Sequence, residues 1–409
     1  MPSFIRQSQK ARSKVEVRKT PHIVLGVTSA QTCLVLKGRV RALRAAGFFV
    51  TVISSPGSLL DELARAEGAE RVEVSMRRAV APLSDLCSLV QIWRILCKLQ
   101  PDIVEFSTPK AGLLGMLAAW LARVPRRVYL LRGLKLETAS GAKRKLLVCV
   151  ERLAMACAQT VMCNSASLAT ETLALRLTSG RKVKILGAGS AIGVDCEHYS
   201  PKETDLRAEL GIPDGAMVVG FTGRLTHDKG VPLLFEAFED IRESQPGVYL
   251  LLVGWWDEAE DAIDSALREK ILRHSNVRCT GFVRDVAPYL RAMDIFALPT
   301  RREGLPNAIL EASATALPIV TTDATGARDA VVHGLTGLMV PAGSSSALQE
   351  ALLKLLYAPQ LRERMGREGR RWVQRNFERR HVLARNAHFY RDLLRQDPER
   401  PQPRSVAAD

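Results

Sequence analysis

Two glutamates eight residues apart, Glu303 and Glu311, stand in the segment RREGLPNAILEASATALPIVTTD at 301–323. Strand-like IFALPT precedes the segment and PIVTT ends it, so the pattern predicts a strand, a turn with Glu303 and a helix with Glu311. Pro306 suits the first position of that helix, because its missing N–H would be unpaired there anyway. Free N–H groups at a helix start bind anions such as phosphate. The carboxylates could then hold hydroxyl groups on either side of a phosphate, as a nucleotide-sugar would require, or they could be solvated.

A second group of polar residues follows the strand-like run MVVGFTG, which ends at Gly223. Arg224 and Lys229 come next, and a helical pattern begins after Gly230. A guanidinium fork matches two phosphate oxygens, whereas an ammonium acts as a point charge. Basic residues after a strand are usually solvated. Because open α/β sheets bind ligands at the carboxyl ends of their strands, the two groups together predict a clamp for a diphosphate.

These segments together resemble the retaining glycosyltransferases of family 4, which have the GT-B fold. The resemblance extends from about residue 22 to about residue 394 and is carried by GRL at 223–225 with KG at 229–230, GFVRD at 281–285, EGLPN at 303–307 through Glu311, and GARDAVVHGLTGLMVP at 326–341. It implies two Rossmann-like domains of parallel sheet that face a cleft. It also implies a C-terminal helix that crosses back to the first domain.

The resemblance further implies a role for each matched residue. Arg224, Lys229 and Glu303 are the expected catalytic residues, because the cations would hold the diphosphate leaving group and the glutamate would contact the transferred sugar. Glu311 is expected to bind the ribose hydroxyls of the donor, and uridine is the base that the family favours. The remaining expected donor contacts approach the base, the sugar or the phosphate: Gly223, Phe282, Val283, Gly304, Leu305, Pro306 and Asn307.

The chain departs from the family in two places. Many members carry a Gly-Gly pair in the first strand-helix loop, where this chain has GVTSAQ at 26–31. Some members carry a histidine near the fourth strand, where this chain has EFST at 105–108. The first departure leaves the N-terminal phosphate contact open. The second removes an obvious side chain from the reaction centre, so no enzymic base is predicted and the departing phosphate would take the acceptor's proton.

Alternating strand-like and helical segments predict the domain organisation. Seven strand-like runs fall in the first half of the chain: 22–27, 49–54, 71–76, 102–107, 126–133, 160–165 and 183–189. We predict a disordered basic tail (1–20), an acceptor-binding domain (21–195), a donor-binding domain (196–379), a returning helix (380–395) and a disordered tail (396–409).

The net positive charge of the chain lies entirely in its first half. Residues 1–200 hold 30 of the 58 Lys and Arg residues but only 14 of the 43 Asp and Glu residues. A basic acceptor domain suggests an anionic membrane surface, a lipid-linked diphosphate acceptor, or both, although simple solubility is an alternative. The apolar segment AGLLGMLAAWLA at 111–122 is too short to span a membrane, and predicts either a buried helix or the lining of a lipid-facing groove.

Four residues are candidates for the acceptor side of the cleft. Ser107 and Lys110 follow one strand-like run, and Arg132 and Lys135 follow the next. Their cations could bind the diphosphate of a lipid-linked saccharide, or they could be ordinary surface charges. This segment resembles the branch of the family that builds bacterial surface polysaccharides on an undecaprenyl diphosphate carrier.

Several other classes fit the sequence less well. The eight cysteines include no Cys-x-x-Cys pair, which favours a reduced, cytoplasmic compartment. The basic first half of the chain favours a peripheral position at the inner face of the membrane. Scattered histidines and the lack of an Asp-x-Asp pair predict no metal and no cofactor. Aromatic residues make up only 5%, which argues against nucleic acid as a partner. A nucleotide-sugar epimerase of the same fold, a transferase acting on a soluble acceptor and an inactive scaffold remain alternatives.

Overall fold

The computed structural model describes residues 20–77, 81–258 and 261–395. The two tails predicted to be disordered lie outside these ranges, apart from Thr20. Within them the chain forms two β-sheets, each flanked by helices. This architecture confirms the predicted α/β class with two Rossmann-like domains.

The N-terminal domain is built on a sheet of seven strands with the order β3-β2-β1-β4-β5-β6-β7. Its strands are β1 (His22–Gly26), β2 (Phe49–Ser54), β3 (Glu70–Glu73), β4 (Ile103–Ser107), β5 (Arg126–Leu131), β6 (Thr160–Cys163) and β7 (Val183–Lys184). Its helices are α1 (Arg39–Ala45), α2 (Ser58–Glu67), α3 (Pro82–Leu99), α4 (Pro109–Leu121), α5 (Gly141–Cys157) and α6 (Ala166–Ala174), with 3₁₀ turns at Ala30–Leu36 and Lys135–Glu137.

The C-terminal domain is built on a sheet of six strands with the order β10-β9-β8-β11-β12-β13. Its strands are β8 (Val218–Thr222), β9 (Tyr249–Val253), β10 (Val277–Cys279), β11 (Ile295–Leu298), β12 (Ile319–Thr322) and β13 (Gly337–Val340). The helices of this half are α7 (Leu206–Glu209), α8 (Val231–Ser244), α9 (Ser265–Arg273), α10 (Ala287–Arg291), α11 (Asn307–Ala314), α12 (Ser345–Tyr357), α13 (Pro359–Phe377) and α14 (Arg379–Arg395), with a 3₁₀ turn at Arg328–Ala330.

The strands lie where the apolar runs predict them, although several end earlier. Central strands such as β8 and β11 are buried along their whole length, as expected for a parallel sheet covered by helices on both faces. The run predicted at 183–189 forms only the two residues of β7. Gly187 and Gly189 follow with φ angles of 61° and 104°, so the chain turns away from the extended conformation that a strand requires.

Each sheet reverses its strand order at one point. In the second sheet, β8 lies between β9 and β11, so the crossovers run in opposite directions from it. A crevice forms outside the carboxyl ends of the strands at such a point and is where open α/β sheets bind ligands. The loop after β8 carries Arg224 and Lys229, and the loop after β11 carries Glu303.

The last helix, α14, returns to the N-terminal domain as predicted and begins one residue earlier, at Arg379. Tyr390 is fully buried there, and its hydroxyl donates a hydrogen bond to Glu105 on β4. Arg126, the first residue of β5, donates from Nε to the Leu393 carbonyl oxygen at 2.5 Å. The helix therefore completes the core of the first domain and ties the end of the chain to its beginning.

Candidate active site

Both cations of the predicted clamp are paired with carboxylates. Arg224 Nη1 lies 2.6 Å from Asp257 Oδ2, and Lys229 Nζ forms an ion pair with Glu303. Asp257 follows β9, so loops after three neighbouring strands bring the four side chains together at the edge of the sheet. The Arg224 side chain is 38% exposed whereas that of Asp257 is only 9% exposed. A phosphate can therefore approach the guanidinium from the solvent side.

A pocket of about 180 Å³ lies beside the clamp. Four residues predicted from the sequence contribute to its wall: Gly223, Phe282, Val283 and Glu311. The other lining residues were not predicted from the sequence: Thr222, Val253, Gly254, Trp255, Val286 and Ala308. The pocket has an aromatic rim, because the rings of Trp255 and Phe282 lie 5.6 Å apart between centroids, at 71° to each other. An aromatic rim of this kind can contact the flat face of a nucleobase.

The floor of the pocket depends on a contact between two glycines. An ideal Cβ at Gly254 would lie 1.8 Å from the Gly223 carbonyl oxygen, and the φ angle of Gly254 is 150°. No other residue fits this approach without moving the backbone of one strand end. Gly223, at a φ of 146°, is matched by the family motif, and Gly254 is a further position that sequence reasoning missed.

Glu311 lies on the pocket wall in a crowded environment. Burial raises its pKa from 4.5 to about 7, and this is the largest effect on the group. The positive charge of Arg379 and a hydrogen bond from Tyr199 oppose that rise. Tyr199 lies in the segment between the two sheets and Arg379 begins α14, so neither was predicted as part of the site. The carboxylate is therefore placed to exchange these partners for the hydroxyls of a ligand.

The turn before α11 differs in one detail from the prediction. Pro306 is the residue that caps the helix, with a φ of −75° and a ψ of 109°, and the helix begins at Asn307 rather than at Pro306. The proline ring holds the extended conformation that an N-terminal cap requires, and the first N–H groups of α11 still face the end of the turn. Leu305 is buried beneath the turn, with 7% of its surface exposed.

The Glu303–Gly304 turn touches the N-terminal domain across the cleft. An ideal Cβ at Gly304 would lie 2.1 Å from the carbonyl oxygen of Arg132, so only glycine permits this contact. Beside it, Arg302 donates from Nε to the Thr138 hydroxyl at 3.0 Å. The sheet edges of both domains therefore meet at the loop that carries the predicted catalytic glutamate.

Comparison with known proteins identifies the chain. Residues 35–189 match a family model described as a glycosyl transferase 4-like domain, and residues 216–357 match one described as glycosyl transferases group 1. The capsular polysaccharide biosynthesis glycosyltransferase CapM of Staphylococcus aureus is 33% identical over 371 residues, which cover 90% of this chain and 97% of CapM. The chain belongs to the family 4 glycosyltransferases.

Two further proteins are similar to this glycosyltransferase. An Escherichia coli UDP-Gal:α-D-GlcNAc-diphosphoundecaprenol α-1,3-galactosyltransferase is 28% identical over 68% of this chain and 72% of its own length. A crystal structure of Anabaena Alr3699/HepE in complex with UDP-glucose superposes with a TM-score of 0.75, over 91% of this chain and 99% of that chain, at 20% identity. The structural likeness confirms the GT-B fold.

The predicted acceptor-side residues of the glycosyltransferase differ from one another in their surroundings. Lys110 Nζ lies 2.6 Å from Asp85 Oδ1 on the neighbouring helix α3, so its charge is balanced within the domain. Lys135 is exposed at the start of a 3₁₀ turn. Ser107 and Arg132 lie at the carboxyl ends of β4 and β5, with Ser107 only 1% exposed. The structure therefore places Ser107 and Arg132 at the ends of neighbouring strands, Lys110 in an ion pair and Lys135 on the surface.

The two departures from the family motif have structural explanations. In the first loop, the Thr28 hydroxyl lies 2.6 Å from the Thr108 hydroxyl and accepts a hydrogen bond from the Ala111 N–H at 3.1 Å. The loop is thereby fixed to the start of α4 by side chains. Glu105, in the stretch where other members have a histidine, is buried in an ion pair with Arg39. Its carboxylate binds within the domain core.

Side chains suited to a resident metal ion are dispersed. In the ranges that the structure describes, no three His, Cys, Asp or Glu residues lie close enough together to hold a metal ion. In the same ranges, no helix is both long enough and apolar enough to cross a membrane.

Proposed function

We propose that this glycosyltransferase moves a sugar from a UDP-linked donor to a lipid-diphosphate-linked saccharide in bacterial surface polysaccharide biosynthesis. The observation that carries the proposal is the pocket walled by Gly223, Phe282, Val283 and Glu311, which opens beside the Arg224 clamp. The similarity to a capsular polysaccharide enzyme and to a diphosphoundecaprenol galactosyltransferase supports the class of acceptor. The Anabaena complex with UDP-glucose supports the class of donor.

The donor fits the cleft in one direction. Its base lies against the rings of Trp255 and Phe282, and its ribose hydroxyls bind the Glu311 carboxylate. The diphosphate then reaches Arg224 and Lys229, which leaves the sugar beside Glu303. A diphosphate that binds the Lys229 ammonium takes the place of the Glu303 carboxylate, so Glu303 becomes free to accept hydrogen bonds from the sugar.

The reaction breaks the bond between the sugar C1 and the diphosphate oxygen and forms a bond from C1 to the acceptor hydroxyl oxygen on the same face. The acceptor's proton passes to the departing phosphate oxygen, and the configuration at C1 is retained. Arg224 and Lys229 stabilise the charge that develops on the leaving group, which is preorganised electrostatic catalysis. Because these side chains supply the positive charge, we expect transfer to continue in the presence of EDTA.

The proposal is tested with purified enzyme, a panel of UDP-, GDP- and ADP-sugars, and lipid-linked saccharides extracted from bacterial membranes. We expect one nucleotide to support transfer, and Arg224→Ala or Lys229→Ala to lower turnover about 100-fold or more while the melting temperature stays near that of the parent. Lys270→Ala is the matched control, because Lys270 also forms an ion pair in this domain but is 59% exposed.

The outcomes separate the alternatives. Near-normal turnover in either clamp variant would contradict the proposed role of the clamp. Conversion of the donor in the absence of any acceptor would favour an epimerase, which the relatives described above do not support. Transfer to a free saccharide, and not to the lipid-linked one, would favour a soluble acceptor.

We also propose where the enzyme meets the membrane, at its cytoplasmic face. Helices α3, α4 and α5 pack side by side, with α4 in the middle. Together they expose seven large apolar side chains to solvent: Leu83, Leu86, Trp93, Trp120, Leu121, Leu146 and Leu153. The same helices carry seven Lys and Arg residues but only Asp85 and Glu151 as acids, of which Asp85 is paired and Glu151 is buried. A cationic surface with exposed tryptophan and leucine fits an anionic lipid bilayer.

Vesicle binding tests this α3–α5 face. We expect the enzyme to sediment with vesicles that contain phosphatidylglycerol and not with pure phosphatidylcholine, and high salt should weaken the binding. Leu83→Ser combined with Leu86→Ser should weaken it roughly tenfold or more, because both side chains lose apolar area buried in lipid. Leu272→Ser on α9 is the control, since Leu272 is 52% exposed in the other domain. Equal loss in the control, or no loss in the double variant, would refute the assignment.

A further inference from the structure

Arg132 lies at the carboxyl edge of the first sheet, directly after β5. In the pairing of β4 with β5, Glu105 lies opposite Val128 and Ser107 lies opposite Leu130. Side chains alternate between the two faces of a strand, so these four residues project from one face. Arg132, two residues beyond Leu130, continues the same row toward the cleft.

The row already contains a buried ion pair. Arg39 Nη1 donates to Glu105 Oε1 at 2.6 Å, and Arg39 Nη2 pairs with Oε2. The Tyr390 hydroxyl also donates to Oε2. Both oxygens of the Glu105 carboxylate are therefore used by Arg39 and Tyr390. Arg132 interacts electrostatically with Arg39 and Glu105. The cluster therefore contains two guanidinium ions and one carboxylate.

The Arg132 guanidinium has donors with nothing to bind. Its Nε and Nη2 atoms are buried, and they have no hydrogen-bond partner within the part of the chain that the structure describes. The buried Ser107 hydroxyl, in the same row, is also without a partner there. Burial, which is the largest effect, and the positive charge of Arg39 lower the pKa of Arg132 to about 10, against opposing effects of Glu105 and Tyr390. The group is thus still a cation at neutral pH, and a buried cation without a partner is unfavourable.

The backbone places this cation at the cleft. The Arg132 carbonyl oxygen is the atom that a Cβ at Gly304 would strike, and the nitrogen of Gly304 lies 3.3 Å from an ideal Cβ at Gly133. Arg132 is therefore next to the turn that carries Glu303, whose partner is Lys229. The backbone of the residue that carries the two unpartnered nitrogens therefore contacts that turn.

We infer that Arg132, with the Ser107 hydroxyl, binds an oxyanion in the cleft, namely a phosphate of either the donor or the acceptor. The identity of those ligands rests on the proposed function, whereas the anion site itself rests on the surroundings of Arg132. A phosphate supplies the charge that Glu105 cannot, because the Glu105 oxygens are already occupied, and it can bind the guanidinium fork with two oxygens. Lys110 is not equivalent, since Asp85 already balances it.

The test compares two arginines on the same strand and loop. Arg132→Met removes the unpartnered guanidinium. Arg127→Met is the matched control, because Arg127 donates to the carbonyl oxygens of Cys157 at 2.7 Å and Val124 at 2.6 Å. We expect Arg132→Met to keep or raise the melting temperature of the ligand-free enzyme, since a buried uncompensated charge is lost. Arg127→Met should lower it and leave ligand affinity unchanged.

Calorimetry with three probes then identifies the anion: inorganic pyrophosphate, UDP, and farnesyl diphosphate added at saturating UDP. If Arg132→Met binds UDP about tenfold or more weakly than the parent, the anion bound by Arg132 is the donor phosphate. The same loss for farnesyl diphosphate, with UDP unchanged, assigns the acceptor phosphate. Arg132→Lys should recover part of the affinity, because it restores the charge without the fork. If all three probes bind Arg132→Met as tightly as the parent, the inference is wrong.

A parent enzyme that binds none of UDP, GDP and ADP would contradict the proposed donor. The pyrophosphate and farnesyl diphosphate titrations would still decide the role of Arg132. The two failures are therefore distinguishable.

Discussion

In the proposed function, the carboxylates of the cleft compete with a donor diphosphate for the same cations. Glu303 holds Lys229, and Asp257 holds Arg224 from its buried side. This arrangement keeps flexible cationic side chains in place before the ligand arrives, so less conformational entropy is lost on binding. It also ties the freeing of Glu303 to the arrival of the phosphate, which couples diphosphate binding to contact with the sugar.

The Glu311 carboxyl gives a prediction about pH. Its pKa rises from 4.5 to about 7 on burial, so between these values the folded chain holds a proton that the unfolded chain has released. This contribution to the free energy of unfolding is complete below about pH 4.5 and is lost as the pH rises through 7. The Glu311→Gln variant lacks this pH-dependent contribution, because its amide does not titrate. We expect the variant to gain roughly a few degrees in melting temperature relative to the parent between pH 5 and pH 8.

Thermal unfolding of both proteins at intervals of one pH unit measures this difference. The buried acids Glu137 and Glu151, whose pKa values burial also raises to about 7, are present in both proteins and cancel in the comparison. A difference in melting temperature that stays constant with pH would show that Glu311 is ionised throughout. The variant should also bind UDP more weakly, because an amide is a poorer partner for two ribose hydroxyls.

The sequence reveals the site residues that belong to continuous motifs and misses those that arrive from elsewhere. Glu303, Glu311, Arg224 and Lys229 could be predicted because each lies within a strand-turn-helix pattern. Tyr199, which contacts Glu311, lies more than a hundred residues from it in an irregular segment, and no local pattern marks it. Trp255, which follows β9 after one glycine, was the one available signal for the pocket rim, since the carboxyl end of a parallel strand is where a ligand is expected.

At the scale of elements, apolar runs locate the strands because both faces of a parallel sheet are covered. They do not locate the ends, which depend on where glycines such as Gly187 turn the backbone. The apolar segment at 111–122 was predicted as a buried helix or as the lining of a lipid-facing groove. The structure shows a helix whose Ala111 is buried and whose Trp120 is 53% exposed, and contact with lipid stays a prediction. Which side chains of α4 are buried depends on the neighbouring helices α3 and α5, and the sequence of α4 does not specify those neighbours.

The docking of α14 gives a prediction at this scale. The Tyr390 hydroxyl accepts from Arg39 Nη2 at 2.8 Å and donates to Glu105, so Tyr390→Phe leaves the buried pair with an unsatisfied hydrogen bond. We expect the free energy of unfolding to fall by about 1–3 kcal/mol. Urea denaturation measures it. Tyr357→Phe is the control, because its hydroxyl accepts one hydrogen bond from Gln245 on the surface, and it should cost less than about 0.5 kcal/mol. Equal effects in both variants would show that the buried network contributes nothing specific.

At the scale of the whole molecule, the two domains meet at a few points around the cleft. Asp329 accepts hydrogen bonds from the N–H of Ser167 at the start of α6, at 3.1 and 3.2 Å. Arg302 reaches Thr138, and Gly304 touches Arg132. In the proposed function, a bound donor favours the conformation in which these contacts form, and closure excludes water and limits hydrolysis of the donor.

The contact between Gly304 and Arg132 gives a prediction about domain closure, because the clash that a side chain would cause there can be measured. A methyl group at this position would lie 2.1 Å from the Arg132 carbonyl oxygen, so Gly304→Ala must push the two domain edges apart. UDP should still bind within about threefold of the parent, since its pocket lies in one domain. Transfer should fall roughly 100-fold, because donor and acceptor are held by different domains and a small misplacement is costly.

Small-angle scattering with UDP-glucose distinguishes a failure of the two domains to approach each other from direct damage to the sugar site. The parent should become more compact on binding, whereas Gly304→Ala should not. Gly247→Ala is the control: an added Cβ there has nothing within 4 Å, so its turnover and its compaction should match the parent. If Gly304→Ala lost turnover but still closed, the glycine would be needed for the approach of the sugar and not for the approach of the domains.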